Sequence, residues 1–361
     1  MKVLALASYP VEFAATRYRL TQFAGPLAER GIELTIRPFL NSREAATIYR
    51  RDEWPRTAAG LLRASVRRLE DVWRARAFDA LLVQREAMIW GPPVVEWLST
   101  KIGRCPMVLD LDDATYVRYL SPTYGRLGSA LKWFSKTDDL IRWARVATCG
   151  NKAIAEYVEG KGTRARVVPT VADTEHFRPA EPPPANAPPI LGWIGTHSTF
   201  PYLASIFPAL QQLARTRRFR LKVIGAERGR IDVPGVEVES LGWKLAREIE
   251  DFQSFDIGLY PLIRDEWSAG KSGFKAIQYM ACGLPFVVMP VGAAAEIGEP
   301  GVTHLNAELA SEWHDALSLL LSDTALRKRM GEAGRQCALR DYTVPMQADK
   351  LAAALREAVQ R

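Results

Sequence analysis

Two lysines, Lys271 and Lys275, flank the predicted start of a helix that follows a buried strand. Such a helix start presents free backbone N–H groups and the positive end of the helix dipole, which together bind anions. Cations are disfavoured there unless an anion is present, so the two lysines indicate a polyanionic ligand. Gln278 shares a helix face with Lys275, and its amide suits a sugar hydroxyl. Solvated lysines without a ligand are the alternative.

The elements around these lysines are a strand, a loop, a helix and a second strand. The apolar run 256–262 predicts a buried parallel strand, and the run 284–289 predicts the next one. Ser272 is the predicted helix cap, and Gly283 is the predicted stop. The helix therefore begins at the carboxyl end of a strand, where ligands bind in open α/β sheets.

Gly270, Lys271 and Ser272 also follow a strand and open a helix, as they would in a P-loop. The complete P-loop pattern needs glycine at position 265, which is Asp265 and is followed by Glu266. Two carboxylates would repel a phosphate, so the sequence argues against a nucleotide triphosphatase.

Charged residues also follow predicted strands in the first half of the chain. Asp110, Asp112 and Asp113 end one strand, with the first two on one face. A metal-binding pair of carboxylates and a simple helix cap at Asp113 are both open interpretations. Glu86 ends another strand and is expected to line the same crevice.

Arginines and glycines mark two further candidate anion sites. Arg17 and Arg19 follow the first strand, where a guanidinium suits phosphate or carboxylate, with surface salt bridging as the alternative. Gly195 and Thr196 follow a strand and open a helix, a second candidate phosphate cradle. Arg264, at the end of its strand, is expected to reach the same anion.

Short apolar runs alternate with amphipathic stretches along the whole chain, which predicts parallel sheets covered by helices. The predicted strands are 2–7, 32–37, 80–84, 107–111, 146–149, 166–168, 190–194, 220–224, 236–239, 257–260, 285–289 and 302–305. The main predicted helices are 17–29, 58–76, 93–102, 128–143, 152–159 and 344–359. The fold class is therefore α/β, with two Rossmann-like parallel-sheet domains that face each other across a cleft.

A proline-rich stretch divides the chain. We predict an N-terminal acceptor-binding domain over 1–178, a linker over 179–189 and a C-terminal nucleotide-sugar-binding domain over 190–340. The remaining residues, 341–361, are predicted to form a helix that returns to the N-terminal domain.

Composition is that of an ordinary globular protein, with a formal net charge of +7. The four cysteines and four histidines are scattered, so we expect a reduced cytoplasmic protein without a metal site. Residues 1–178 hold 28 basic and 20 acidic side chains, whereas 179–361 hold 20 and 21. This asymmetry predicts an anionic surface or acceptor opposite the first half.

An apolar stripe, formed by Leu62, Val66, Leu69 and Trp73, runs along an arginine-rich predicted helix. We predict that the stripe packs against the sheet. An interfacial membrane face is the alternative, since basic amphipathic helices bind anionic lipid.

The stretch 267–285 resembles the nucleotide-sugar site of GT-B glycosyltransferases, in particular family 4 (GT4), the group 1 transferases. Gln278-Tyr279-Met280-Ala281-Cys282-Gly283-Leu284-Pro285 is similar to the family's E-x-M-A-x-G-x-P motif. The family's two glutamates are replaced here by Gly270 and Gln278, as in a branch with W-x-x-GK-x-G-x-K-x-x-QYMA. GWIG at 192–195 and the stretch 168–174 extend the resemblance over nearly the whole chain.

The resemblance implies transfer of a sugar from a UDP- or GDP-linked donor to an acceptor hydroxyl, with retention of configuration. It implies Lys271 and Lys275 as catalytic groups that replace a metal, and Asp112 as a group that orients or deprotonates the acceptor. No cofactor is expected besides the donor substrate. The implied donor-binding residues are Gly195, Thr196, Trp243, Arg264, Trp267, Ser272, Gly273, Phe274 and Gln278. The implied acceptor-binding residues are Arg17, Arg19, Glu86 and Asp113.

The expected partners are a nucleotide sugar and an acceptor glycan, lipid-linked acceptor or small alcohol, with an anionic membrane surface as a further candidate and no nucleic acid. A place in cell-surface glycan or glycolipid synthesis would suit this set. Two other classes stay open, namely a nucleotide-sugar epimerase on the same fold and a non-catalytic basic membrane-binding protein.

Overall fold

The computed structural model describes residues 1–121, 123–181, 187–226 and 229–360. The first unit comprises Met1–Thr170, Gly270–Ser272 and Val344–Arg361, and the second comprises Val171–Ala269 and Gly273–Thr343. The division after Thr170 precedes the predicted linker, of which residues 182–186 lie outside the described ranges. The acceptor and donor roles of the two domains stay predictions.

The first unit is built on a parallel sheet, which has six strands within the described residues, in the order β2-β1-β3-β4-β5-β6. The strands are β1 Lys2–Ala7, β2 Glu33–Pro38, β3 Ala80–Gln84, β4 Met107–Leu111, β5 Val146–Cys149 and β6 Ala165–Val167. Val3 pairs with Leu34 on one side and with Ala80 on the other. Strands β3, β4 and β5 are buried along their whole length, as continuous apolar runs predict.

Helices connect these strands. They are α1 Ala14–Arg19, α2 Ala24–Glu29, α3 Ser42–Thr47, α4 Trp54–Arg74, α5 Val94–Trp97, α6 Gly125–Lys132, α7 Lys136–Trp143 and α8 Lys152–Gly160, and a π-helical turn, Leu98–Ile102, continues α5. The single helix predicted over 17–29 is wrong because Pro26 has no N–H to continue the ladder, so α2 starts anew at Ala24. The helix predicted over 128–143 is interrupted at Trp133, which adopts φ 57°.

Helix α4 turns the predicted apolar stripe away from the sheet. Leu62, Val66, Leu69 and Trp73 are 65%, 58%, 45% and 68% exposed. The fully buried residues of α4 are small or polar, namely Thr57, Gly60, Ala64, Arg68 and Asp71, and Leu61 and Val72 are partly buried against the core. The prediction that the stripe packs against the sheet is therefore wrong.

Polar contacts hold the inner face of α4 in place. The buried guanidinium of Arg68 donates to the carbonyl oxygens of Ala7 at 2.8 Å, of Arg37 at 2.9 Å and of Ala87 at 2.9 Å. It also pairs with Asp71 at 2.9 Å. Burial lowers the pKa of Arg68 to about 10, against the opposing charge of Asp71. The helix is thus fixed by a satisfied buried charge, and its apolar stripe is left outside.

The second unit has its own parallel sheet, with six strands within the described residues, in the order β12-β11-β10-β7-β8-β9. The strands are β7 Ile190–Ile194, β8 Arg220–Ile224, β9 Glu237–Leu241, β10 Ile257–Tyr260, β11 Phe286–Val288 and β12 Leu305–Asn306. The helices are α9 Phe200–Ala204, α10 Phe207–Ala214, α11 Glu248–Gln253, α12 Glu266–Ala269, α13 Phe274–Ala281, α14 Ala310–Ser322 and α15 Thr324–Asp341. Two parallel sheets with intervening helices confirm the predicted α/β class.

The last helix, α16 Val344–Gln360, belongs to the first unit. It packs on α2 and on strands β3, β4 and β5. Glu357 accepts from Arg166 at 2.6 Å, and Asp349 accepts from Arg30 at 2.7 Å. Among the described residues, no helix combines the length and apolar composition needed to cross a membrane.

Candidate functional site

The strand order of the second sheet contains a topological switch point. The chain adds β8 and β9 on one side of β7, and then adds β10, β11 and β12 on the other side. Helices on opposite faces then leave a crevice at the carboxyl ends of β7 and β10, where open α/β sheets bind ligands. Gly195 follows β7, and the helix with Lys275 follows β10. Both were predicted as donor-binding elements.

Two glycines allow the backbone to approach closely beside this crevice. Gly225 has φ +80°, and a Cβ there would lie 2.3 Å from the carbonyl oxygen of Gly195 and 3.2 Å from the Cβ of Trp243. A Cβ on Gly195 would lie 2.7 Å from Thr199 Oγ1. The strand ends therefore meet backbone to backbone, and Trp243, which is 37% exposed, lies next to them. Gly225 was not singled out from the sequence, although its position directly after a strand is a detectable signal.

The structure differs from the prediction that Gly195 and Thr196 open a helix and form a phosphate cradle. The backbone N–H of Thr196 donates to Thr199 Oγ1 at 3.0 Å, and its hydroxyl lies 2.8 Å from Ser198 Oγ. The next helix, α9, begins at Phe200 and has five residues. Thr196 is exposed, but a turn rather than a helix start follows β7, so the N–H group of Thr196 is already used within the turn.

Helix α13 begins one residue later than predicted. Its N-cap is Gly273, which has φ +68°, so the prediction that Ser272 caps the helix is wrong. A Cβ on Gly273 would lie 2.2 Å from Ile297 Cδ1, so both conformation and space require glycine. Phe274 opens the helix and is half-buried, whereas Gln278 is buried on the inner side.

Lys275 lies in the first turn of α13. Its Nζ atom is 5.6 Å from the centroid of the Tyr260 ring, at the end of β10. A cation over an aromatic face is favourable, which offsets part of its unfavourable position at the positive end of a helix. The charge is therefore held at the carboxyl edge of the sheet, half-buried, as an anion site requires.

Lys271 belongs with the first unit. The side chain of Asn151 caps α8 through Ile154 N at 2.8 Å and donates from Nδ2 to the carbonyl oxygen of Lys271 at 2.8 Å. A Cβ on Gly270 would lie 2.1 Å from the Cβ of Ala114. Asn151 thus fixes the backbone at Lys271, a role that spacing along the chain could not reveal.

Two other predicted donor residues are placed by local contacts. Trp267 lies half-buried in α12, whose first turn is capped by Asp265 through Ser268 N at 2.7 Å. Arg264 pairs with Glu308, with Nε to Oε1 at 3.0 Å and Nη2 to Oε2 at 2.9 Å. The contact of Arg264 with the anion stays a prediction, because the exposed pair with Glu308 neither makes nor excludes it.

The prediction that Arg19 binds the acceptor is wrong. It is buried inside the first unit, where Nε donates to Asp110 Oδ2 at 2.9 Å and Nη2 pairs with the other carboxylate oxygen. Asp110 also accepts from the Thr148 hydroxyl at 2.6 Å. A guanidinium this enclosed is structural and is not available to an acceptor. Arg17, by contrast, is half-buried and stacks over Tyr18, 4.6 Å from the ring centroid.

Asp112 and Asp113 are both engaged by Arg85. Its Nη2 atom lies 2.7 Å from Asp112 Oδ2 and 2.8 Å from Asp113 Oδ2. Burial disfavours the charged form of Asp112, but the guanidinium outweighs it and lowers the pKa of this carboxyl. The predicted deprotonating role of Asp112 is therefore disfavoured, since a low pKa makes a weak base. Arg85 adopts φ 62°, a strained conformation typical of functional sites.

Glu86 does not line a crevice as a free carboxylate. It is buried and pairs with Lys132, and its Oε2 atom lies 2.7 Å from Lys136 Nζ. Burial opposes ionisation, but the two ammonium groups lower the pKa of Glu86. The prediction of a direct acceptor contact is corrected accordingly. Within the described residues, no group of three or more His, Cys, Asp or Glu side chains is arranged to hold a metal ion.

Solved structures with this architecture are GT-B glycosyltransferases. A sucrose-phosphate synthase from Thermosynechococcus elongatus has a TM-score of 0.70 at 12% identity, with 98% of each chain covered. A glycosyltransferase from Rickettsia africae has a TM-score of 0.70 at 14% sequence identity, with 100% of this chain and 99% of that chain covered. HepE from Anabaena, in complex with UDP-glucose, has a TM-score of 0.69 at 17% sequence identity, with 99% of each chain covered. At such identities the likeness shows the fold, which is GT-B.

The family is indicated by the sequence itself. Residues 188–323 match the model described as Glycosyl transferases group 1, which confirms the family resemblance. Residues 188–323 are therefore a group 1 glycosyltransferase domain, and the whole chain has the GT-B fold. A search of curated proteins gave no match.

Proposed function

We propose that the protein transfers a sugar from a UDP- or GDP-linked donor to an acceptor hydroxyl, as a GT4-type enzyme that retains anomeric configuration. The observation that carries the proposal is that residues 188–323, the part that matches group 1 transferases, contain the whole switch point with Gly195, Gly225 and Lys275. The structure of HepE, which shares the fold, contains UDP-glucose.

The donor diphosphate is proposed to lie at the start of α13. Lys275 and the first backbone N–H groups of the helix supply positive charge there. Lys271, whose carbonyl oxygen accepts from Asn151 Nδ2, is proposed to add a second positive charge. Trp243, beside Gly225, would stack on the base, and Gln278, Trp267 and Phe274 would complete the pocket. Ser272 and Gly273 are proposed to contribute through the backbone, and Thr196 through its exposed side-chain hydroxyl.

The reaction exchanges one bond for another. The bond from the anomeric carbon to the β-phosphate oxygen breaks with its electron pair on the diphosphate, and the acceptor oxygen bonds to that carbon. The hydroxyl proton leaves with the released diphosphate. Fixed positive charge at Lys271 and Lys275 stabilises the leaving group as its charge grows, which is where electrostatic catalysis gains most.

Acceptor recognition is proposed to lie in the first unit, at the carboxyl ends of β3 and β4. Asp113 has a side chain that is 25% exposed, so it can accept a hydrogen bond from a hydroxyl while Arg85 keeps it oriented. Asp112 is proposed to hold Arg85 in its strained conformation and to stay ionised. Arg17 remains a proposed contact for an acidic acceptor.

The donor site is tested by calorimetry with UDP and GDP. We expect Lys275→Ala to weaken binding by about tenfold or more, and Lys271→Ala to weaken it less, because charge-assisted hydrogen bonds to phosphate are lost. Lys328→Ala, at an exposed lysine on α15, is the matched control. Wild-type affinity for both nucleotides in the Lys275 variant would refute the site.

Metal independence is a separate part of the proposal. The two lysines would take the part of a divalent cation at the diphosphate, so turnover should persist after EDTA treatment. A panel of nucleotide sugars, screened for slow donor hydrolysis, supplies the substrate for that assay. Loss of turnover in EDTA, restored by Mg²⁺ or Mn²⁺, would contradict this part.

We also propose that the enzyme works in the cytoplasm, peripherally on the inner face of a membrane, and acts on a glycan or lipid-linked acceptor in surface glycan or glycolipid synthesis. The support is the excess of basic residues in 1–178 and the outward apolar face of α4.

A further inference from the structure

Helix α4 has reversed amphipathicity. Its fully buried residues are Thr57, Gly60, Ala64, Arg68 and Asp71, with Leu61 and Val72 partly buried beside them, and its outer face carries four exposed large apolar side chains. A helix that covers a sheet normally buries its apolar stripe, because burial of apolar side chains stabilises the fold. The exposed side chains of α4 contribute little of this kind to the fold, which indicates that they serve a partner.

The outer face has the composition of an interfacial helix. We name the "outer stripe" as Leu62, Val66, Leu69 and Trp73, and it runs along most of a 21-residue helix. Trp54, which is 63% exposed, stands at the opposite end of the helix from Trp73. Tryptophan rings near both ends suit the boundary between acyl chains and headgroups.

Arginines flank the outer stripe. Arg56, Arg63, Arg67 and Arg74 lie along one side of it, interrupted by Glu70. Arg56 pairs with Glu53 at 3.1 Å, Arg67 pairs with Glu44 at 2.6 Å, and Arg74 lies 4.0 Å from Glu70 and 3.9 Å from Asp71, so most of this charge is compensated locally. Beyond the helix, Arg76 stacks over Trp73, 4.3 Å from the ring centroid. A cation beside an interfacial tryptophan is placed to meet an anionic headgroup.

We propose that the outer stripe of α4 is a docking surface for an anionic lipid bilayer. The helix lies along the interface, its leucines and Trp73 enter the acyl boundary, and the flanking arginines contact lipid phosphates. A second protein is the less suitable occupant, because a stable interface needs about 800 Å² per partner with a core depleted of charge. A helix stripe with arginines along one side and Arg76 at its end matches a charged surface better.

The proposal makes the peripheral location specific and does not depend on glycosyl transfer. Donor binding at Lys275 can fail in calorimetry while vesicle binding persists, and the reverse also holds. The two parts are therefore separable by experiment.

The first experiment is cosedimentation of the full chain with large vesicles. We expect binding to vesicles of phosphatidylcholine mixed with phosphatidylglycerol, weaker binding to phosphatidylcholine alone, and release as salt screens the charges. Equal binding to both vesicles, or to neither, would overturn the proposal.

Two sets of variants assign the binding to the outer stripe. The double variant Leu62→Gln, Leu69→Gln should lower partitioning by about tenfold or more, since two buried leucines are lost. Its matched control is Leu319→Gln, Leu339→Gln, which replaces two leucines that are 46% and 37% exposed on helices of the second unit. Arg63→Gln should lower binding to the anionic vesicles by about fivefold, against Arg329→Gln as control.

Depth is measured with brominated lipids, which quench tryptophan fluorescence. Quenching should fall in Trp73→Phe, since that ring is expected at the acyl boundary. Because all of these side chains are exposed, thermal midpoints should match the wild type. If the double variant binds vesicles like its control, the stripe is not the docking surface. If the wild type ignores vesicles but forms a concentration-dependent dimer that the double variant loses, the occupant is a second copy and the proposal is wrong.

Discussion

The carboxyl edges of the two parallel sheets place charge differently, and the strand orders of the two sheets also differ. In the first unit the edge is crowded with charge that is already paired: Arg19 with Asp110, and Arg85 with Asp112 and Asp113. In the second unit the corresponding edge is made of glycine backbone, at Gly195, Gly225 and Gly273. The charged side chains at the edge of the first sheet are neutralised by each other. The edge of the second sheet has glycine backbone that suits the charge of a ligand.

This contrast agrees with the proposed division between an acceptor edge in the first unit and a donor edge in the second. A network of satisfied ion pairs is rigid and keeps carboxylates ionised, which suits orientation of a neutral hydroxyl. A glycine-lined edge with Lys275 nearby suits a diphosphate, whose own charge replaces the missing counter-ions. The variants described next change one edge at a time.

The largest expected effect is in the first unit. Arg19→Met leaves the buried carboxylate of Asp110 without its guanidinium, and we expect a loss of about 3–5 kcal/mol in the free energy of unfolding. Urea unfolding followed by circular dichroism measures this loss. A loss below about 1 kcal/mol would mean that the paired edge is not rigid, and it would contradict the proposed difference between the edges of the two sheets.

The second prediction concerns the glycine edge. Gly225→Ala introduces a left-handed alanine whose Cβ would lie 2.3 Å from the carbonyl oxygen of Gly195. We expect a cost of about 2–4 kcal/mol and weaker nucleotide binding, from conformational strain and the clash together.

Gly235 is the matched control for this variant. It has the same φ of +80°, but a Cβ there has its nearest neighbour at 3.9 Å. Gly235→Ala should therefore cost about 1–2 kcal/mol, from the left-handed conformation alone, and should leave nucleotide affinity unchanged. Equal effects at the two positions would show that close approach at Gly225 is unimportant.

The third prediction is a difference in acid sensitivity. Burial lowers the pKa of His304 in the second unit to about 4. Between pH 6.5 and 4 the unfolded chain binds a proton that the folded chain does not, so stability falls as pH falls, by on the order of 2 kcal/mol. His304→Asn should remove this pH dependence.

The paired carboxylates behave differently. The pKa values of Asp112 and Glu86 are lowered in the folded state, so their contribution is present above their unfolded pKa values and is lost at still lower pH. Unfolding of each unit, followed by hydrogen exchange from pH 7 to 4, should show the second unit weakening first. Simultaneous weakening of both units would contradict this order.

The smallest expected effect is at Arg264. Its pair with Glu308 is exposed, with 62% and 42% of the side chains accessible, and exposed pairs contribute little. Arg264→Ala should leave both the urea midpoint and nucleotide affinity at wild-type values. A clear loss of nucleotide affinity would instead support the predicted contact between Arg264 and the donor.

The sequence was sufficient for the sheets and insufficient for the partners of charged groups. Strand β7 and strand β10 have the predicted ends because buried parallel strands are continuous apolar runs. Helix α3 was not predicted, although Asn41 and Glu44 form a capping box there. Six residues are too few for helical periodicity to stand out, so the cap was the available signal.

The candidate site shows the same limit. The spacing placed Lys275 in the first turn of a helix, which is a local property. It could not show that Arg19 would find Asp110, because that contact joins residues distant in sequence. It also could not show the facing of α4, since periodicity defines a stripe but does not tell which side the sheet takes.

The anchoring of α4 by Arg68 has a consequence for engineering. Because one buried guanidinium joins three backbone carbonyls, this single position is intolerant of change, while the leucines and valine outside can be exchanged for polar residues with little effect on folding. A form of the enzyme with a polar α4 would therefore be easier to concentrate and crystallise, and it would keep the fold intact for work on the transfer reaction.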